Sequence, residues 1–184
     1  MEHGFAFSAA KTSAVHFRRK RSVQGQPSLY LNNEPINFKP TVKFLGMILD
    51  QRLKLNDHNR DLKTECMRKL NVVKCISRQS WGADRVTMFR IYRAIVRSKI
   101  NYGCVIYMSA NDKGLRALNP VHNAAIRLCT GAFRSSPVIS LYAKSGEPPL
   151  HSRREQLLLQ YVAHVNQMPQ SPTFNSVHRY LGND

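Results

Sequence analysis

Asp50, Asp57 and Asp61 are the closest grouping of acids in the sequence. Phosphoryl or nucleotidyl transfer would start from such a group, because it needs carboxylates converging on Mg²⁺. Their positions fit a simpler role. Asp50 closes an apolar run, while Asp57 and Asp61 open a helical pattern, where negative charge complements the helix dipole. No Walker loop, Gly-x-Ser-x-Gly elbow or His-Glu-x-x-His pair occurs. The four cysteines (Cys66, Cys75, Cys104, Cys129) form no Cys-x-x-Cys pair and the seven histidines are scattered. Neither a zinc site nor a disulfide framework is therefore expected. No catalytic residue set and no metal site can be read from these residues alone.

Binding chemistry is better supplied. The 184 residues carry 28 Lys and Arg against 11 Asp and Glu, a net charge of +17, which favours polyanions: nucleic acid first, acidic membrane second. Nine basic and three acidic residues fall in 1–55, eleven and four in 56–110, and eight and four in 111–184, so the first two thirds are the more basic. Arg90, Arg93 and Arg97 are spaced to share one helix face and could follow successive phosphates; Lys63 and Lys74 join them as nucleic-acid-binding candidates. The competing reading is an ordinary solvated face. Sparse compensation favours the first, since only Asp84 lies between Glu65 and Asp112. The run Arg18-Arg19-Lys20-Arg21 fits a strand-end loop, a nuclear-import signal or a phosphate contact, and charge alone does not rank them.

The elements that must position these residues follow from periodicity. Hydrophobic residues make up 42% of the chain, enough for a core, and no run approaches the roughly 20 apolar residues of a membrane span. An intracellular chain is expected, nuclear or cytoplasmic and not secreted. Lys11 to Phe17 reads as a strand. Leu29–Leu31 and Ile36–Phe38 flank Asn32-Asn33-Glu34-Pro35, which reads as a hairpin connection because asparagine tolerates positive φ. Val42 to Leu49 is a nearly continuous apolar run, expected to be one well-buried strand whose Gly46 lets another backbone approach.

Past Leu55 the period changes from two to 3.6. Leu62, Cys66, Leu70, Val73 and Ile76 form one helical stripe, and a second helix begins at Asp84 with Phe89, Tyr92, Ile95 and Val96 on its apolar side. A third stretch, 111–130, should split or kink at Pro120 and stop at Gly131. A last helix is expected over 151–167, followed by a frayed tail. The fold class is thus α+β: a small N-terminal antiparallel sheet, then a mainly helical region.

Several runs resemble the reverse transcriptases of non-LTR retrotransposons, the jockey-like group. Gly4-Phe5-Ala6-Phe7-Ser8-Ala9-Ala10-Lys11-Thr12 is similar to motif D, which in that group follows the catalytic Asp-Asp strand, and Phe44-Leu45-Gly46-Met47-Ile48-Leu49-Asp50 to motif E, the primer-grip strand. Ser80-Trp81-Gly82-Ala83-Asp84-Arg85, Arg97-Ser98-Lys99-Ile100-Asn101-Tyr102-Gly103, Gly131-Ala132-Phe133-Arg134-Ser135-Ser136-Pro137-Val138 and Glu147-Pro148-Pro149-Leu150 resemble its thumb and the helical region beyond it. The likeness spans about residues 4–165 in order.

The resemblance implies a palm remnant over 1–55, a helical thumb over 56–110, a further helical region over 111–168 and the tail over 169–184. It implies Lys11 near the incoming nucleotide's pyrophosphate, as a cation on the developing charge. It places Phe44, Leu45 and Gly46 at the primer terminus and the thumb helices along the template–primer duplex. In the family, fingers and palm supply the metal-binding aspartates upstream of motif D. The sequence here starts after that point, so Mg²⁺ is expected only for a complete polymerase and this chain alone is expected to be inactive. RNA and an RNA–DNA template–primer are the implied partners, with the missing palm and fingers half as another. The alternative is a free-standing basic nucleic-acid-binding module without catalysis.

Overall fold

The computed structural model describes residues 7–18, 27–77 and 82–181. The chain divides into two compact units, Met1–His58 and Asn59–Asp184.

In the first unit a short 3₁₀ turn, Ala9–Lys11, leads into six strands: β1 Ser13–Ala14, β2 Tyr30–Leu31, β3 Glu34–Pro35, β4 Asn37–Phe38, β5 Thr41–Phe44 and β6 Met47–Asp50. Among the described residues they pair only two by two. The β2–β3 hairpin turns on Asn32 and Asn33, at φ 51° and 63°. These are the left-handed values a two-residue turn between right-twisted strands requires, and asparagine tolerates them. The pairing of Tyr30 with Pro35 and Leu31 with Glu34 is tighter than the expected flanks, and the Ile36 amide extends it to the Leu29 carbonyl at 2.8 Å.

Three expectations about this unit need correction. The strand expected over Lys11 to Phe17 is only Ser13–Ala14, since Lys11 closes the 3₁₀ turn. The sheet is not wholly antiparallel, because β1 runs parallel to β4, with Ser13 opposite Asn37 and Ala14 opposite Phe38. Tight turns enforce reversal, whereas the long connection after β1 allows a return in the same direction. The Val42–Leu49 run is not one buried strand. It folds back on itself, Val42 opposite Leu49 and Phe44 opposite Met47, around a turn of Leu45 (φ 45°) and Gly46 (φ 79°). The glycine marks a turn, and of this run only Met47 is buried. After β6 the Asp50 carboxylate accepts hydrogen bonds from the amides of Arg52 (2.9 Å) and Leu55 (2.8 Å), stapling a loop that delivers Leu55 to the interior.

The second unit is helical. α1 (Asn56–Ile76) buries Leu62, Cys66, Leu70 and Val73, as its stripe predicts, with Ile76 half-buried. Asp84 caps α2 (Arg85–Tyr92), accepting from the amides of Val86 (2.9 Å) and Thr87 (3.3 Å). α2 continues through a π turn, Arg93–Arg97, into α3 (Ser98–Asn101), and this helix buries Met88, Phe89, Tyr92, Val96 and Ile100. α4 is Cys104–Tyr107 and α5 is Asp112–Arg116. α6 (Asn119–Thr130) restarts the helix with Pro120 in its first turn, where the missing amide costs nothing, and ends at Gly131 with φ 66°. α7 (Val138–Ser145) and α8 (Leu150–Asn166) follow.

The expected frayed tail is corrected over its described part. Pro172–Leu181 forms α9, its start fixed by Pro172 and by Ser171, whose Oγ accepts from the Thr173 amide at 3.4 Å. Among the described residues no helix is long and apolar enough to cross a membrane.

Candidate nucleic-acid interface

In the first unit Phe44 and Leu45 lie at the tip of the β5–β6 hairpin, 61% and 72% exposed, with Gly46 beside them. Apolar side chains on a turn that forces Leu45 into left-handed backbone are unusual, since the left-handed region costs an L-residue about 1 kcal/mol. Lys11 closes the 3₁₀ turn and is exposed. Of the motif leading to it, Gly4, Phe5 and Ala6 lie outside the described residues, as do Arg19, Lys20 and Arg21 of the basic run and Ser80 and Trp81 of the later one. Arg18 is bound to the loop after β6: its amide donates to the Gln51 carbonyl at 2.9 Å and its guanidinium to Gln51 Oε1 at 3.4 Å.

Burial would raise the Asp50 carboxyl, but the amides of Leu55, Lys54 and Arg52 hydrogen-bond to it and hold it below the usual carboxylate range. Each Asp50 oxygen thus accepts a backbone amide, Oδ1 from Arg52 and Oδ2 from Leu55. Among the described residues no three His, Cys, Asp or Glu side chains gather closely enough to hold a metal ion.

In the second unit Lys63 and Lys74 are both exposed on α1, eleven positions apart. That spacing returns them to the same side of the helix, separated by about 16 Å along its axis. The arginine stripe is more divided than its spacing predicts. Arg90 is exposed, but Arg93 Nε donates to Glu147 Oε1 at 2.7 Å and the Arg97 guanidinium donates to Glu147 Oε2. Glu147 is 1% exposed. The side chain of Arg93 remains 49% exposed and that of Arg97 20%, so two cations share one buried anion and the cluster keeps a net charge of about +1. Arg85 and Arg93 also flank the Phe89 ring, each guanidinium carbon 5.8 Å from its centroid.

Sequence reasoning missed the residues that hold Glu147 there. Gly146, at φ 69°, ends α7, and the Glu147 amide donates to Ser145 Oγ at 3.1 Å. The next carbonyl, Pro148, lies 3.2 Å from His122 Nε2, and His122 Nδ1 lies 2.6 Å from the Tyr92 hydroxyl. A carbonyl only accepts, so Nε2 carries the imidazole proton and Nδ1 accepts from Tyr92. Burial pushes His122 down to about 4, against the pull of the Pro148 carbonyl, so the ring is neutral at pH 7. Tyr142 stacks on it at 5.7 Å and donates to Asn123 Oδ1 at 2.8 Å. The Glu147-Pro148-Pro149-Leu150 run was the available signal: an acid and two prolines between helices fix one carboxylate and one carbonyl in a rigid corner.

With this geometry in place, comparison with known proteins gives a direction. Over 124 residues the chain is 27% identical to a probable RNA-directed DNA polymerase from transposon X-element of Drosophila melanogaster, a match covering 67% of this chain and 13% of the relative. The likeness is to retrotransposon reverse transcriptases. It extends to Pol polyproteins of the type-1 retrotransposable element R1. The one from Bradysia coprophila is 25% identical over 100 residues (54% of this chain, 10% of the relative), and that from Nasonia vitripennis 22% over 140 (73% and 42%). The chain therefore spans about an eighth and a tenth of the first two relatives, and less than half of the third. No protein-family profile and no solved structure matches. The resemblance read from motifs D and E and the helical runs is borne out at low identity.

Proposed function

We propose that this chain is the grasping part of a reverse transcriptase, holding an RNA–DNA template–primer while the nucleotidyl-transfer carboxylates and their Mg²⁺ are supplied by palm and fingers sequence beyond these residues. The observation that carries this reading is the β5–β6 tip. Phe44 and Leu45 face water on a backbone that disfavours leucine, in the residues that resemble a primer grip. Strained backbone and two neighbouring exposed apolar side chains on one turn support a surface that is covered in use. Sugars and bases at a primer end offer apolar faces for Phe44 and Leu45, and Gly46 leaves its backbone open to the strand. Lys11 serves the pyrophosphate side, and Lys63, Lys74, Arg90 and the exposed part of Arg93 hold phosphates without reading sequence; Arg97 serves mainly to anchor Glu147.

Strand pairing supports the palm-remnant reading over a free-standing module. Two-stranded ladders are marginal alone, and among the described residues the pairwise β1–β4, β2–β3 and β5–β6 ladders have edges that further palm strands would complete.

The test is binding of a labelled RNA–DNA hybrid by the 184-residue chain across a salt series. Steep salt dependence is expected, with about tenfold weaker binding by Leu45→Asn. Nucleotide incorporation by the chain alone with Mg²⁺, or tip variants that bind like the parent, would overturn the reading. Clean monomeric elution on size exclusion favours the free-standing module instead.

A further inference from the structure

A cavity of about 840 Å³ opens in the helical unit between the end of α1 and the end of α6. Lys74, Ser77, Arg127, Gly131 and Arg134 are among its lining residues, which, among those described, include three cations and no carboxylate. Its volume falls within the range of small-ligand sites.

Helix ends account for part of this charge. Lys74 and Arg127 sit in the last turns of α1 and α6, where a cation offsets the carbonyl end of the dipole. Arg134 is on no helix, so that explanation does not reach it. Arg127 is also incompletely used: one guanidinium nitrogen donates to the Ser136 carbonyl at 3.1 Å, while its buried Nε has no acceptor among the described residues. The same bond fixes the loop, which closes as a turn with the Ser136 amide donating to the Phe133 carbonyl at 3.1 Å. Phe133 sits between two cavity-lining residues, Ala132 and Arg134, and is 82% exposed. An ordered turn thus holds a bare aromatic ring in water at the edge of a cationic cavity. Phosphate-sized anions suit the cations, and an unpaired base suits the ring, since every base offers a face for stacking.

We infer that the α1–α6 cavity and the Phe133 turn form a binding site for single-stranded nucleic acid, with Lys74, Arg127 and Arg134 on the phosphates and Phe133 stacked on an unpaired base. This rests on the nucleic-acid-binding reading above, and adds to it a place for an unpaired strand distinct from the hairpin tip.

The experiment compares the 184-residue chain with Phe133→Ala, Arg134→Gln and Leu45→Asn, using a twelve-nucleotide RNA and a blunt RNA–DNA hybrid in fluorescence anisotropy. Both groove positions are exposed, so their variants should keep the parent's circular dichroism. Phe133→Ala is expected to weaken single-strand binding about tenfold while changing blunt-hybrid binding by less than about twofold. Arg134→Gln is expected to lower the single-strand salt slope by about 0.7. Unchanged single-strand binding by Phe133→Ala, or equal weakening on both ligands, overturns the inference. If the parent still binds the hybrid and Leu45→Asn weakens it, the function proposed above survives that failure. If the parent binds neither ligand, both readings fall.

Discussion

Arg97 and Glu147 are 50 residues apart in sequence, and the guanidinium of one donates to the carboxylate of the other. Arg93 reaches the same carboxylate from four residues earlier, across the π turn. An i→i+5 turn is wider than an α turn, and here it lies between the two arginines that meet one carboxylate. That carboxylate is the only anion of the corner that joins α7 to α8.

Glu147→Gln leaves two guanidiniums facing a neutral amide. Breaking a buried pair from one side costs about 3–5 kcal/mol, and the half-exposure of Arg93 reduces that here to about 2–3 kcal/mol. Urea denaturation should show the loss as a lower midpoint with an unchanged slope. A variant as stable as the parent would mean the corner is held by its prolines and His122 alone.

Acid should loosen the helical unit before it protonates most carboxylates. His122 is neutral when folded and titrates at about 4, against an ordinary value of 6.5. The unfolded chain therefore binds more protons between those values, and stability falls as pH drops through that window and levels off below it. The full loss is on the order of 3 kcal/mol. Thermal melts from pH 7 to pH 4 should follow this course, and His122→Gln should flatten it.

At the hairpin tip, stability and binding should come apart at Leu45. Leu45→Asn places a residue tolerant of positive φ at 45° and should stabilise the first unit by about 0.5–1 kcal/mol, while weakening the RNA–DNA hybrid complex. Gly46→Val forces a β-branched residue to 79° and should destabilise by more than 1 kcal/mol, roughly. Denaturation midpoints read beside hybrid affinity separate the two effects.

One thiol of four should react quickly in the native chain. Cys75 is exposed, whereas Cys66, Cys104 and Cys129 are buried. Burial pushes the Cys66 thiol up to about 11 and Cys129 up to about 12, and raises Cys104 as well. Titration with a chromogenic disulfide should give one fast thiol, and four after denaturation. Two fast thiols in native protein would show that a buried helix face opens.

Local chemistry was legible wherever neighbours in sequence settle it. Asn32-Asn33, Pro120 and Gly131 need only their own backbone preferences, and each does in the fold what its residue type predicts. The α1 stripe was legible because an amphipathic helix buries its apolar face. The +17 charge and the ordered motifs likewise needed no coordinates to point towards nucleic acid.

Tertiary structure decided what proximity decides. An apolar run with an internal glycine is compatible with a buried strand or a hairpin, and pairing, not composition, bent it at Leu45 and Gly46. An arginine stripe reads as free until a carboxylate from a distant corner is folded against it, because electrostatic partnership depends on distance in space rather than along the chain. The Phe133 turn and the α1–α6 cavity belong to the same class: residues from Lys74 to Arg134 become one surface only when two helix ends meet.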